Sequence, residues 1–253
     1  MIATTPEQIK ALRAAGKILA GVLADVAALA KEGVSTAELD LACEHAIRAR
    51  GAVPAFLDYQ PDGASYPFPA SLCVALNDEV VHGIPNEKRI LRRGDILTID
   101  AGLSYQGYFV DAARTVCIGE CDQGAHKLIA AAKEALQGAI AAARPGAHTG
   151  DIGAVVAGIA GKYNLDVVRD LGGHGVGTTP HEKPYIPNEG RRGEGEELVA
   201  GMVLAVEPIL AEGKGDIVLD EDEWTYRTED GKRAVHVEET ILITEGGAEV
   251  LTA

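Results

Sequence analysis

Asp95–Ile118 reads DILTIDAGLSYQGYFVDAARTVCI, two strand-like runs joined at Ser104–Gly107. Two such runs around a short connection containing glycine form a β-hairpin. If the turn is symmetric about Tyr105–Gln106, residues whose numbers sum to 211 face each other, and Asp100 stands opposite Asp111. Directly opposed side chains on a hairpin have Cβ atoms roughly 4.5–5.5 Å apart, and like charges there repel. Two carboxylates held together in a mostly apolar hairpin need a cation, or one of them keeps its proton. The hairpin therefore predicts a sheet that carries either a cation site or a carboxyl that keeps its proton.

Three more residues suit the same site, each in a strand or at a strand end. His174 lies in Gly172–Gly177 (GGHGVG). This stretch has neither the spacing nor the following helix of a nucleotide loop, and its glycines let the backbone approach closely and present the imidazole. Glu207 interrupts the apolar run Met202–Ile209 (MVLAVEPI). A charge there is expensive unless paired or coordinated, and Pro208 argues that the ladder ends or bulges beside it. In Val235–Leu242 (VHVEETIL), alternation places His236 and Glu238 on one face and Val237 and Glu239 on the other. Which glutamate points inward stays open on this pattern alone. His82, before a Gly-Ile-Pro turn, and His181 would be ordinary loop residues by themselves; they gain interest only beside these carboxylates. Four carboxylates and an imidazole suit two divalent ions such as Mn, Fe(II), Co or Zn. Two such ions activate a shared water and polarise a carbonyl, so the expected reaction is hydrolysis. HExxH, EF-hand and GxSxG patterns are absent.

The 253 residues suffice for one large domain, and 47% are apolar, enough for a substantial core. A net charge of −15 disfavours nucleic acid and anionic membranes as partners. The longest apolar stretch, Ile18–Ala30, contains Asp25 and is too short to span a bilayer. No secretory signal is visible, and the four cysteines form no CxxC pair, so a reduced, cytoplasmic chain is expected. Helices are expected from Pro6 to about Lys31, from Thr36 to about Arg50, from about Ala125 to Arg144 and from about Gly150 to Tyr163, the last capped by Thr149. Gly33-Val34-Ser35-Thr36 and Gly146-Ala147-His148-Thr149 align at an offset of 113 residues. Each half then reads as a helix pair followed by strands. The expectation is one domain over 1–253 with pseudo-repeat halves of roughly 1–120 and 121–253, and a site at their seam.

Together NDEVVHGIP (77–85), DAGLSYQGYFVDAARTV (100–116), GGHGVG with HEKP (172–184), MVLAVEPIL (202–210) and VEETILIT (237–244) resemble type I methionine aminopeptidases over nearly the whole chain. The resemblance implies an α+β pita-bread fold, with helix pairs and antiparallel sheets in two pseudo-twofold halves. It also implies two divalent metal ions and release of N-terminal methionine from nascent proteins whose second residue is small. Carried over, it makes Asp100 a ligand of one metal and His174 of the other, with Asp111 and Glu238 bridging. Glu207 would bind the second metal and move protons, and His82 and His181 would contact the scissile peptide. The choice between Glu238 and Glu239 falls to Glu238 on the same ground. Tyr59, Phe68, Cys73 and Trp224 fall at or near the methionine pocket. Two features depart from the family pattern: a few extra residues between Tyr59 and Phe68, and Pro180 where an aromatic is often found. An Xaa-Pro aminopeptidase or prolidase is the alternative enzyme, and a non-catalytic pita-bread binding module a more distant one. A monomer in contact with the ribosome is the remaining expectation.

Overall fold

The computed structural model describes residues 1–253. Four helices carry the outer layer: α1 (Pro6–Leu29), α2 (Thr36–Ala49), α3 (Gln123–Ala142) and α4 (Thr149–Lys162). Thr5 and Gln8 form a capping box at the start of α1, and Ser35 and Glu38 form one at α2. Asp122 caps α3, accepting from the amide of Ala125, so that helix begins slightly earlier than expected. Thr149 is the first residue of α4 rather than its cap. The cap position belongs to His148, whose amide donates to Asp151 Oδ2 at 2.7 Å. The Thr149 hydroxyl instead accepts from the Glu196 amide, tying the helix start to a neighbouring loop.

The hairpin consists of strands Ile96–Tyr105 and Tyr108–Cys117. Its register differs from the expectation. Tyr105 faces Tyr108, so Asp100 stands opposite Ala113 and Asp111 opposite Gly102. The reason lies in the turn. Gln106 and Gly107 occupy its centre with φ of 52° and 84°. Two-residue hairpin turns that match strand twist need positive φ at both central positions, and glycine takes the second one freely. Asp100 and Asp111 are thus diagonal neighbours on the same face, a spacing of about 7–8 Å that side chains still bridge.

Alternation then sorts the hairpin. Leu97, Ile99, Ala101, Leu103, Val110 and Ala112 lie in one apolar cluster with Leu12, Leu19, Val22, Leu23 and Val26 of α1. Thr98, Asp100, Asp111 and Thr115 take the opposite face, where the Thr98 and Thr115 hydroxyls meet at 2.7 Å. Cys73–Leu76 and Val53–Pro54 complete this sheet. A five-stranded antiparallel sheet runs in the order Gly247–Val250, Glu239–Thr244, Val203–Val206, Gly172–Gly175 and Glu182–Pro187. Leu204, Val206, Ile241 and Ile243 from it pack in a second cluster with Leu128, Ile129, Ala132 and Leu136 of α3. The two sheets meet where Ala113 and Glu238 exchange backbone hydrogen bonds of 3.3 and 3.1 Å.

The strained turn is testable. Asn tolerates positive φ better than Gln, and the left-handed conformation costs an ordinary residue about 1–2 kcal/mol. Gln106→Asn is expected to raise the urea midpoint by a stability gain of up to about 1 kcal/mol, with the m-value unchanged.

Candidate metal centre

The seam between the sheets positions the carboxylates. The stretch containing Val235–Leu242, expected to alternate as one run, is broken into Ala234–His236 and Glu239–Thr244. At the break Glu238 points into the seam, 2% exposed. Glu239 turns away and pairs with Arg114 at 3.0 Å. Thr240 locks the arrangement: its hydroxyl donates to the Asp111 carbonyl at 2.7 Å and accepts from the Asp111 amide at 2.9 Å. Glu207 sits where the run 203–210 divides into Val203–Val206 and Ile209–Ala211, the interruption expected at Pro208.

His174 reaches the same place from Gly172–Gly175, its Nε2 4.0 Å from Glu238 Oε1. Its Nδ1 lies 2.9 Å from the Gly175 carbonyl. A carbonyl only accepts, so Nδ1 carries the hydrogen and Nε2 presents a lone pair to the carboxylates. The flanking glycines are required by packing. A Cβ on Gly173 would stand 2.3 Å from the Ala205 carbonyl oxygen, and one on Gly175 would stand 2.2 Å from that of Lys183.

The cavity is electrostatically incomplete. No lysine or arginine forms an ion pair with Asp100, Asp111, Glu207 or Glu238, whose charged-group neighbours are histidines. Asp100 Oδ1, Asp111 Oδ1, Glu238 Oε1 and His236 Nε2 are buried without hydrogen-bond partners. Burial, with mutual repulsion second, holds the Asp100 and Glu238 carboxyls well above the usual range. Glu207 rises for the same reasons, and burial brings Asp111 to about 7. Buried polar atoms normally find partners, and each left orphaned costs about 1–3 kcal/mol or more. Oxygen and nitrogen donors converging on one space, with no cationic side chain among them, fit divalent metal ions. Two triads, Asp111-His174-His181 and Asp100-His236-Glu238, each bring their donor atoms within 4.8 Å of one another.

Beside these groups lies a cavity of about 330 Å³ whose walls include all the expected site residues: Asp100, Asp111, His174, Glu207, Glu238, His82, His181, Tyr59, Phe68, Cys73 and Trp224. Cys73 faces Asp100 directly across the sheet. Trp224 meets Phe68 edge-on at 5.2 Å and His82 at 6.1 Å. His181 lies 4.4 Å from His174 ring to ring, and its Nδ1 is 3.1 Å from the Tyr59 hydroxyl. Burial lowers the pKa of His82 to about 4 and of His174 to about 3, and it lowers His181 as well, so His82 and His174 are neutral at pH 7. Residues 60–67 form a loop between Tyr59 and Phe68, with Pro61 on the pocket wall. Asp58 N to Phe68 O and Phe68 N to Tyr59 O, both 2.9 Å, close the neck of that loop. Pocket residues absent from the sequence reading are Phe56, whose ring fills the space a Cβ on Gly102 would take, and Tyr185. Tyr66, edge-on to Trp224 and bonded through its hydroxyl to the Asp222 carbonyl, was also missed. So was His236, although alternation had placed it on the same face as Glu238.

The model of metallopeptidase family M24 matches residues 10–245. The chain belongs to metallopeptidase family M24. A methionine aminopeptidase of Aquifex aeolicus is 42% identical over 249 residues, covering 97% of this chain and 96% of the relative. The crystal structure of a methionine aminopeptidase from Rickettsia prowazekii superposes over the whole of both chains, with a TM-score of 0.95 and 38% identity. A prolidase from Pyrococcus furiosus shares the fold at a TM-score of 0.76 and 26% identity, and this chain covers 65% of it. The fold is thus the expected α+β pita-bread arrangement, shared with both kinds of peptidase.

Burial of Asp111 makes a prediction for metal-stripped protein. Its folded pKa, about 7, lies above its ordinary 3.8, so the folded state holds the proton more tightly. The contribution to stability is complete below about pH 4 and is lost as pH rises through about 7. Thermal melts of stripped protein should show this loss. Asp111→Asn should flatten the slope, and added Mn(II) should remove it.

Proposed function

We propose that this chain is a methionine aminopeptidase, acting on the N-terminal peptides of nascent proteins whose second residue is small. The observation that carries the reading is the coincidence, in one cavity, of a carboxylate cluster without cationic side chains and an aromatic wall of Phe56, Tyr59, Phe68 and Trp224. Similarity to methionine aminopeptidases over nearly their full length, against 65% coverage of the prolidase, supports this reading over an Xaa-Pro peptidase. A binding module that had lost its ligands would have no use for orphaned carboxylates. The reading takes residues 1–253 as one catalytic unit in two halves, a cytoplasmic monomer meeting its substrates near the ribosome. No helix is long and apolar enough to cross a membrane.

Asp100, Asp111, His174, Glu207 and Glu238 would hold two divalent ions. When bound, such ions supply a nucleophilic water at neutral pH and polarise a carbonyl. The remaining work falls to the chain itself. Trp224, Phe68, Cys73 and Tyr59, joined by Phe56, take the methionine side chain and set the scissile bond against the carboxylates. His82, a neutral imidazole, donates a hydrogen bond to the substrate peptide. The Tyr59 hydroxyl fixes the His181 ring through Nδ1 and leaves its other nitrogen for the substrate. Hydrogen bonds that tighten as the carbonyl becomes tetrahedral lower the barrier. Glu207, ionised once the centre is loaded, would be the group that accepts a proton and returns it to the departing amine.

Metal-stripped protein given back Mn(II), Co(II), Fe(II) or Zn(II) is expected to release methionine from Met-Ala-Ser and to leave Ala-Pro-Ala intact. Asp111→Asn should abolish the release. Cleavage of Ala-Pro-Ala alone would transfer the protein to the proline-specific branch, and no cleavage by folded, metal-loaded protein would sink both enzyme readings. Trp224→Ala removes one wall of the pocket. Burying a side chain of this size is worth about 1.5–3 kcal/mol, so kcat/KM for Met-Ala-Ser should fall by about 10–150-fold, mainly through KM.

A further inference from the structure

His236 is the one orphaned group of the centre that the ligand set above leaves unused. Its imidazole is 1% exposed. Nδ1 faces the Val80 carbonyl at 3.2 Å, while Nε2 has no hydrogen-bond partner. Nε2 lies 3.5 Å from Glu207 Oε1 and 3.8 Å from Asp100 Oδ2. The carbonyl can only accept, so Nδ1 carries the hydrogen and Nε2 points a lone pair among carboxylates. Lone pair against carboxylate is repulsive unless a positive centre stands between them. A metal-ligating histidine characteristically donates its other ring N–H to a backbone carbonyl or carboxylate. His174 has that arrangement through Gly175, and His236 repeats it through Val80.

Distance agrees. Donors sharing one ion at bonds of about 2.0–2.2 Å sit about 3–4 Å from one another. Asp100, His236 and Glu238 place one donor atom each within 4.8 Å of the others. The ring is also held in place from behind, because the Thr115 hydroxyl donates to the His236 carbonyl and the backbone pairs with Ile209.

We propose that His236 is a sixth ligand of the metal centre, giving Nε2 to the ion held by Asp100 and Glu238. The inference rests on the paired-metal reading. It gives each ion an imidazole, His174 on one side and His236 on the other, where the assigned set has only His174.

Pulsed electron paramagnetic resonance of metal-stripped protein reloaded with Mn(II), with histidine labelled by ¹⁵N, tests it. Mn(II) stoichiometry is measured on the same samples. His236→Gln should lower the number of coupled imidazole nitrogens by one and weaken Mn(II) binding tenfold or more, with His174→Gln as the reference for losing one ligand. An unchanged nitrogen count with weaker binding would make His236 an outer hydrogen-bonding group and overturn the proposal. An unchanged count with unchanged affinity would overturn it too. Should the glutamine variant not fold, His236→Asn serves, and a single coupled imidazole in the unsubstituted protein is by itself sufficient to overturn it. Failure to bind Mn(II) at all would bring down the metal-centre reading itself, an outcome the stoichiometry separates from the others.

Discussion

Burial of four carboxylates with no cationic side chain among them is the constraint around which this chain is built. Asp100, Asp111, Glu207 and Glu238 are each pushed toward the protonated form by burial. No arginine or lysine relieves them. The nearby guanidiniums are committed elsewhere: Arg114 to Glu239 and the Thr252 carbonyl, Arg227 to Asp78, Glu79 and Asp220. A fold that keeps cations out of such a cavity leaves it for an ion from solution.

Holding the carboxylates in place needs rigid supports that do not depend on the ion. Each is carried by an element whose other face is fixed by apolar packing. The hairpin lies on α1, and the strands around Glu207 and Glu238 lie on α3. The seam between them is joined by backbone hydrogen bonds at Ala113 and Glu238, the two bonds of the Thr240 hydroxyl to Asp111, the Thr115 hydroxyl on the His236 carbonyl and the Arg114–Glu239 ion pair. The site thus inherits its geometry from elements held by the two apolar clusters. The pocket follows the same division, since Cys73 stands on the strand next to Asp100 while Trp224 comes from a segment anchored by the Arg227 network.

Much of this was legible in the chain. A charge within an apolar strand is a strong signal, because few environments tolerate it, and Asp100, Asp111 and Glu207 all gave it, whereas Glu238 was separated from Glu239 only by the family resemblance. Pro208 announced the break beside Glu207, and the helix caps at Thr5 and Ser35 marked their helices. The hairpin register was not legible, because it depends on which residues of the turn take positive φ, and Gln106 does so against its preference. Thr149 could not be told from a cap by its type, since its hydroxyl accepts from a loop distant in sequence. Phe56 carries no local mark, as its place is set by the missing side chain of Gly102 across the sheet. His236 was on the right face by alternation, but its burial became visible only when Val80 and Ile209 were brought against it.

The loop between Tyr59 and Phe68 is closed at its neck by backbone hydrogen bonds on both sides. Pro61 and Tyr66 of the loop still touch the pocket and its tryptophan, but the closure holds Tyr59 and Phe68 in place whatever lies beyond it. Ring-closure entropy grows only with the logarithm of length, about 0.6 kcal/mol per doubling, so residues added around Asp62–Gly63, clear of Tyr66, would lengthen the rim and leave the floor where it is. The entrance thus offers a place where a graft could meet the emerging substrate chain without touching the chemistry beneath it.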